Sequence, residues 1–378
     1  MRCIKIRQSG ACDYAWRSLR RFHDTASLVD MLMQQRQIPQ KQKVNVEKQM
    51  RQLSYCLHQA QDFAKSARTS SLSTRSLLAY YSLTALANVE ILWHGDGNAS
   101  IDKRPSIYHS HGLELVAPGN LGDVRARPQV DGAGKVKGLF GLWREHAHHI
   151  PHYGEIETID EETGIRQTGL EQFSSKTALR DFSFPQDGIS LNRCLGHIPS
   201  MQITLGEMRR DTHLARGRIK RTATVNSHST PLREEVKTII HPTPLDTLNE
   251  VGERFRYPGT AFEDIEIKEM PNGFIINHRM LSGNEYNYLS QAPEAFNDSI
   301  DMIYFVGSGE ILNEFGYYYV GTYILGMISR YHPNVWMAEI GRNSDYAALA
   351  DEFLEIALDR CPLLIASSLR DAILLYDG

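Results

Sequence analysis

The sequence predicts an α+β fold, mainly α, with helical N- and C-terminal segments packing together around a strand-bearing middle insertion. Three observations carry this. Met50, Leu53, Leu57, Ala60, Phe63 and Ala67 recur at three- and four-residue steps, and Leu77 to Trp93 is apolar nearly all round. Phe315 to Arg330 is equally apolar and rich in tyrosine. Between them, from about Ile101 to Gly283, helical periodicity disappears and glycine, proline, histidine and charge are scattered. The chain divides accordingly into an N-terminal extension (1–44), a helical segment (45–100), a polar middle with a β-hairpin (101–289) and a C-terminal helical segment (290–378). The two helical segments are expected to share one core.

The extension holds a short helix and then a linker broken by Pro39. Asn45 is placed to cap a helix beginning at Val46. The next helix ends at His94, whose charge suits the negative helix terminus, with Gly95 in the left-handed closing position. Short helices are expected at Leu139–His146, Leu170–Phe182 and Leu191–Leu195. Strands are expected at Arg218–Val225, Val236–His241, Asp264–Met270 and Phe274–Arg279. The last two flank Asn272-Gly273, a strong hairpin signal. Helix is expected again after Ser290. Pro333 stops or kinks the Phe315–Arg330 helix, Ser344 or Asn343 caps the next, and Pro362 opens a final one.

Composition narrows the function classes. Hydrophobic residues make up 42% of the 378 residues, enough for a sizeable core. The formal net charge is -4, so any nucleic-acid contact must come from a local patch. The cysteines are odd in number (5) and scattered, without a C-x-x-C pair. That points to reduced thiols in a cytoplasm rather than to disulfides or zinc. No stretch reaches the ~20 apolar residues that span a bilayer, and no secretory leader is evident, so no membrane partner is expected. Walker A, G-x-G-x-x-G and G-x-S-x-G motifs are absent. No cofactor is implied.

Four clusters remain as candidates. Arg330, Tyr331 and Trp336 stand in RYHPNVW at the end of an apolar helix. The arginine fork suits a carboxylate or phosphate, with two amphipathic aromatics beside it. The alternative is architectural, with Arg330 on a buried acid and Trp336 filling the core. Arg209, Arg210, Arg216, Arg218, Lys220 and Arg221 form the one concentrated basic patch, with Asp211 as its only acid. It reads as a phosphate-contacting surface, although without interleaved aromatics, or as a surface loop balanced by acids elsewhere. Glu145, His146, His148, His149 and His152 crowd REHAHHIPH, but no second cluster completes a metal site. A solvated helix end whose histidines titrate near neutral pH is the simpler reading.

The fourth cluster is Arg104 with His109 or His111. An R-x(4–6)-H pair is what metal-independent ribonucleases of the HEPN type use. There the histidine does acid/base work on the 2′-hydroxyl while the arginine stabilises phosphate charge. Arg17 with His23, Arg144 with His149 and Arg221 with His228 fit the spacing too, so spacing alone does not select a pair.

Three segments together resemble the YaaC-like proteins, a bacterial family. They are LLAYYSLTALANVEILWHG with HSHGLEL after it, LNRCLGHIPSM, and YYYVGTYILGMISRYHPNVW with the terminal CPLLIASSL. Arg330-Tyr331-x-Pro333-x-x-Trp336 is the sharpest piece. The resemblance runs from about Val46 to Leu369, omits the extension, and does not align the basic patch. It implies a fold and brings no chemistry with it. The expectation is a YaaC-like cytoplasmic binding or interaction module, its partner a nucleic acid or a protein, in a setting such as phage defence. A homo-oligomer is compatible with this. The alternative is the HEPN-type endoribonuclease.

Overall fold

The computed structural model describes residues 2–6, 11–116, 120–226, 231–241, 262–271, 273–280, 294–297, 303–307 and 311–376. The fold is α+β, mainly α, with helices at both ends and a strand-rich middle.

After strand β1 (Arg2–Ile6), helices α1 (Ala11–Arg20) and α2 (Thr25–Gln35) lead to the long pair α3 (Lys43–Thr69) and α4 (Leu72–His94). Helix α3 starts earlier than expected, with Gln42 at its N-cap. Asn45 is therefore inside the helix, accepting from Lys103 Nζ at 2.6 Å. Helix α4 is buried on almost every side, as its apolar circumference requires. Gly95 beyond it is extended (φ -81, ψ 151) and the left-handed residue is Gly97 (φ 83).

The polar middle contributes β2 (Leu113–Val116), β3 (Arg125–Pro128), α5 (Gly138–His146), β4 (Tyr153–Asp160), β5 (Arg166–Gln172), β6 (Ile189–Ser190), α6 (Leu191–Gly196) and α7 (Gln202–Glu207). It continues with β7 (Ala215–Val225), β8 (Pro231–His241), β9 (Phe262–Met270), β10 (Gly273–Met280), β11 (Glu294–Asn297) and β12 (Ile303–Gly307). Strands β2, β3 and β6 form a small sheet. The larger one runs β11-β12-β7-β8-β10-β9, and the β4–β5 hairpin lies parallel to the far half of β7. The β9–β10 hairpin forms as expected, but Gly273 stands opposite Met270 and so begins the strand instead of occupying the centre of the turn. A Cβ on Gly273 would sit 2.2 Å from the Ile240 carbonyl oxygen, which is why glycine stands there.

Two expectations fail in this region. Leu170–Phe182 is the end of β5 and a 3-10 turn rather than a helix, because Leu170 and its neighbours pair with β4. After Ser290 the described residues are strands first, and helix resumes only at Glu314.

The C-terminal helices are α8 (Glu314–Tyr331), α9 (Pro333–Gly341) and α10 (Asp345–Arg370). Ser344 caps α10, its side chain accepting from the Ala347 N–H. Pro333 opens α9 in the first turn, where a missing N–H costs nothing. Pro362 opens no helix. It lies inside α10, which passes through it unbroken. An interior proline costs roughly 3 kcal/mol, and burial of Cys361, Leu363, Leu364 and Ile365 around it offsets that.

The last strand, β13 (Ala372–Tyr376), pairs in parallel with β1, and α1 packs on α10. One hydrophobic cluster joins Ile6, Leu19 and Leu32 to Leu53, Leu86, Tyr319, Phe353 and Leu374. Described residues of the first 44 are thus built into the same core as the long helices. None of the described helices is long and apolar enough to cross a membrane.

Candidate anion-binding cleft

The basic stretch is not a loop for most of its length. From Ala215 it is β7, whose side chains alternate. Ala215, Gly217 and Ile219 are buried, while Arg216 and Arg218 are exposed on the opposite face. Lys220 shares that face but is held by Glu157 at 2.9 Å, and this bond pulls the glutamate below its usual value. Arg221 falls on the other face and serves the fold. It bridges Glu171 and, at 2.9 Å, Glu234. Burial nevertheless pushes the Glu171 carboxyl up, which marks a poorly hydrated site.

Upstream, Arg209 is exposed in a left-handed turn (φ 53) after α7. Arg210 turns back, its guanidinium 4.3 Å from the Tyr346 ring and 3.3 Å from Asp345 Oδ2. Sheet register then adds two residues remote in sequence. Tyr304 of β12 and His241 of β8 stand on either side of Arg216. Together with Ile203 of α7, these groups line a cleft of about 490 Å³. Arg209, Arg216 and Arg218 have no ion partner among the described residues. The cleft is concave, partly apolar and positively charged, and suits an anion with an apolar part.

The Arg330 corner is built differently. Trp336 is 1% exposed and fills the core, so it is architectural. Among the described residues, Arg330 is not tied to a buried acid. It is exposed, donates from Nη1 to Tyr81 Oη at 3.2 Å and lies 5.1 Å over the Tyr331 ring. His111 approaches the same corner, its Nδ1 2.8 Å from Tyr80 Oη, and burial followed by the Arg330 charge lowers its pKa. Arg330, Tyr80, Tyr81 and His111 therefore come together, while Trp336 does not join them.

The model of a family described as YaaC-like Protein matches residues 20–369. The chain belongs to that family. The match is nearly the whole chain, so it takes in β7 and reaches further back than the resemblance from Val46 indicated. No curated protein and no solved structure matches this YaaC-like chain.

The remaining candidates disperse in the YaaC-like fold. Arg104 sends its guanidinium inward, donating to Asn88 Oδ1 at 2.5 Å, and burial lowers its pKa. His109 stays at the surface, with Nε2 3.1 Å from the Arg104 carbonyl. His111, the other partner offered for Arg104, meets Tyr80 Oη instead. The histidine run is not a solvated helix end, since His149 is 2% exposed and His152 0%. Burial holds His148 down to about 4 and His152 to about 3, far below neutral titration. Among the described residues, no group of His, Cys, Asp or Glu is arranged to hold a metal ion.

His94 also departs from its expected role. Burial drives its pKa well down, so it is neutral and contributes no charge to the helix terminus. It joins a buried chain instead. Arg36 Nη2 lies 3.4 Å from His94 Nδ1, and His94 Nε2 lies 3.1 Å from Ser368 Oγ. Ser368 donates to Glu90 at 2.5 Å, and Trp143 Nε1 donates to the same carboxylate at 2.7 Å. The chain ties α2, α4, α5 and α10 together inside the core.

Sequence reasoning missed Tyr304 and His241. Helix is the expectation after Ser290, and nothing local in Ile303–Gly307 says that it pairs with Arg216.

Proposed function

We propose that this YaaC-like protein is a binding module for nucleic acid, with phosphates held in the cleft between α7 and β7. The reading rests on Arg209 and Arg216, which line one concave site, are exposed, and have no ion partner among the described residues. Unpaired cations at close quarters repel one another and collect counterions. Phosphates that displace those counterions bind with a salt-sensitive gain. The test is fluorescence anisotropy with a labelled oligonucleotide over a salt series. For about three phosphate contacts, log K against log salt has a slope of roughly -2. Arg209→Glu with Arg216→Glu should abolish binding at moderate salt and leave the fold intact. Salt-independent binding, or binding unchanged by both reversals, overturns the reading.

The inward guanidinium of Arg104 favours binding over cleavage. Structured RNA incubated with the protein in EDTA should stay intact. Cleavage that Arg104→Ala and His109→Ala both remove would restore the ribonuclease alternative. A role in phage defence predicts that cells carrying the double reversal lose any protection seen with the native protein in phage plating.

A further inference from the structure

Nucleic acid comes single-stranded or as a duplex, and the two make different demands on a surface. A duplex presents paired bases, sealed inside, and two phosphate backbones that flank grooves about 12 and 6 Å wide. Its readers insert a convex helix or ribbon. The cationic surface here is the reverse, a recess beside one strand. Its volume of about 490 Å³ is that of a small-ligand site. One wall is the Tyr304 ring. Another is Ile203, which α7 leaves 74% exposed, an unusual cost for an aliphatic side chain at a rim.

Spacing points the same way. Arg216 and Arg218 lie two residues apart on one strand face, which sets their Cα atoms roughly 6.6 Å apart. That is comparable with the step from one phosphate to the next along an extended single strand. Arg218 continues the row away from the recess, and its neighbours across β8 and β10 are Ile239 and Ile275, carrying no charge, with Lys268 beyond them on β9. Arg210 does not compete for ligand, because Asp345 and Tyr346 already hold it. It forms part of the wall.

We infer that the cleft takes one unpaired nucleotide of a single-stranded nucleic acid, its base between Tyr304 and Ile203 and its flanking phosphates on Arg209, Arg216 and Arg218. This rests on the nucleic-acid reading above and narrows it. Stacking on an aromatic tolerates any base, so recognition is of the unpaired state rather than of sequence.

The test uses the full chain and fluorescein-labelled 12-nucleotide probes: oligo-uridine RNA, oligo-thymidine DNA, and a DNA duplex of equal length. Both single strands should bind at least tenfold more tightly than the duplex. A preference between them then identifies RNA or DNA as the source. Tyr304→Ala should weaken single-strand binding by roughly five- to a hundredfold, the range for losing one stacked base, and Tyr304→Phe should not. Tyr304 also packs on the core, so Ile203→Glu serves as a second variant. It changes only an exposed rim residue and should weaken binding tenfold without moving Tm. Duplex binding equal to single-strand binding, or full affinity in Ile203→Glu, overturns the inference and leaves the proposed function standing. Failure of every oligonucleotide to bind overturns both.

Discussion

Glu314 and Arg360 offer a sharp test of how the terminal helices are held together. Glu314 begins α8 and Arg360 lies late in α10. Arg360 Nε and Nη2 donate to the two Glu314 carboxylate oxygens at 2.8 and 2.9 Å, a bidentate pair. Both side chains are nearly sealed, at 14% and 6% exposure. Beside them is a cavity of about 40 Å³ that Glu90 and Ser368 also line, room for about three waters. Arg360→Ala removes both charge-assisted bonds from a buried carboxylate, and water cannot rehydrate it fully through so small a space. Breaking such a pair from one side costs about 3–5 kcal/mol. At roughly 2–4 °C per kcal/mol for a large domain, Tm should fall by about 6–20 °C. Glu314→Leu with Arg360→Met removes both charges at similar volume and should recover most of the loss. Urea unfolding of the three proteins gives the numbers. A single-variant cost below about 1 kcal/mol would show that the pair is hydrated and that the sealed-interior argument is wrong.

Other outcomes follow from the same geometry. His152 and His148 have folded pKa values near 3 and 4, below their ordinary value, so between about pH 4 and 6.5 the unfolded chain binds protons that the folded one refuses. Stability should therefore fall as pH drops through that window. The slope is about 1.4 kcal/mol per unit for fully buried His152 and smaller for His148, which water partly screens. His152→Leu should flatten a urea-unfolding series from pH 7 to 4.5, and equal slopes would refute the assignment. Trp143→Phe deletes the Nε1 donor to Glu90 and should cost about 2 kcal/mol, read by thermal melting; no change would mean that the carboxylate finds a replacement. Arg221→Met, by contrast with Arg216→Glu, should lower stability without touching oligonucleotide affinity, because its charge is spent on Glu171 and Glu234.

What the sequence discloses depends on where the deciding force lies. Helices α4 and α8 are legible because burial on all sides writes itself into composition. The β9–β10 hairpin is legible because its turn chemistry is local. Leu170–Phe182 is misread because the choice belongs to β4, which pairs with Leu170 and its neighbours and is not written in the local sequence. Pro362 is misread because the packing that overrides it comes from other helices. The basic patch shows the same limit at the site. Its charge is plain in the sequence, yet a strand's two-residue period sends Arg216 and Arg218 outward and Arg221 inward. The aromatic that the patch lacked arrives from Tyr304 through register alone. Trp336 and Tyr331, neighbours in one motif, part for the opposite reason, since a helix corner buries one and exposes the other.

The pairing of β1 with β13 sets the order in which the molecule can be completed. Arg2 finds its partner at Ala372, and among the described residues the strand Arg2–Ile6 has no other neighbour in its sheet. Residues early in the sequence therefore wait for partners made much later. Until then α1 has no α10 to rest on, and its buried face, with Trp16 and Leu19, stands open to water or to a chaperone. Closure at this seam is a late event with a long loop to span, and loop-closure entropy places it after the local helix pairs in folding time. Pulling the seam apart is correspondingly the first step by which the native chain should come undone.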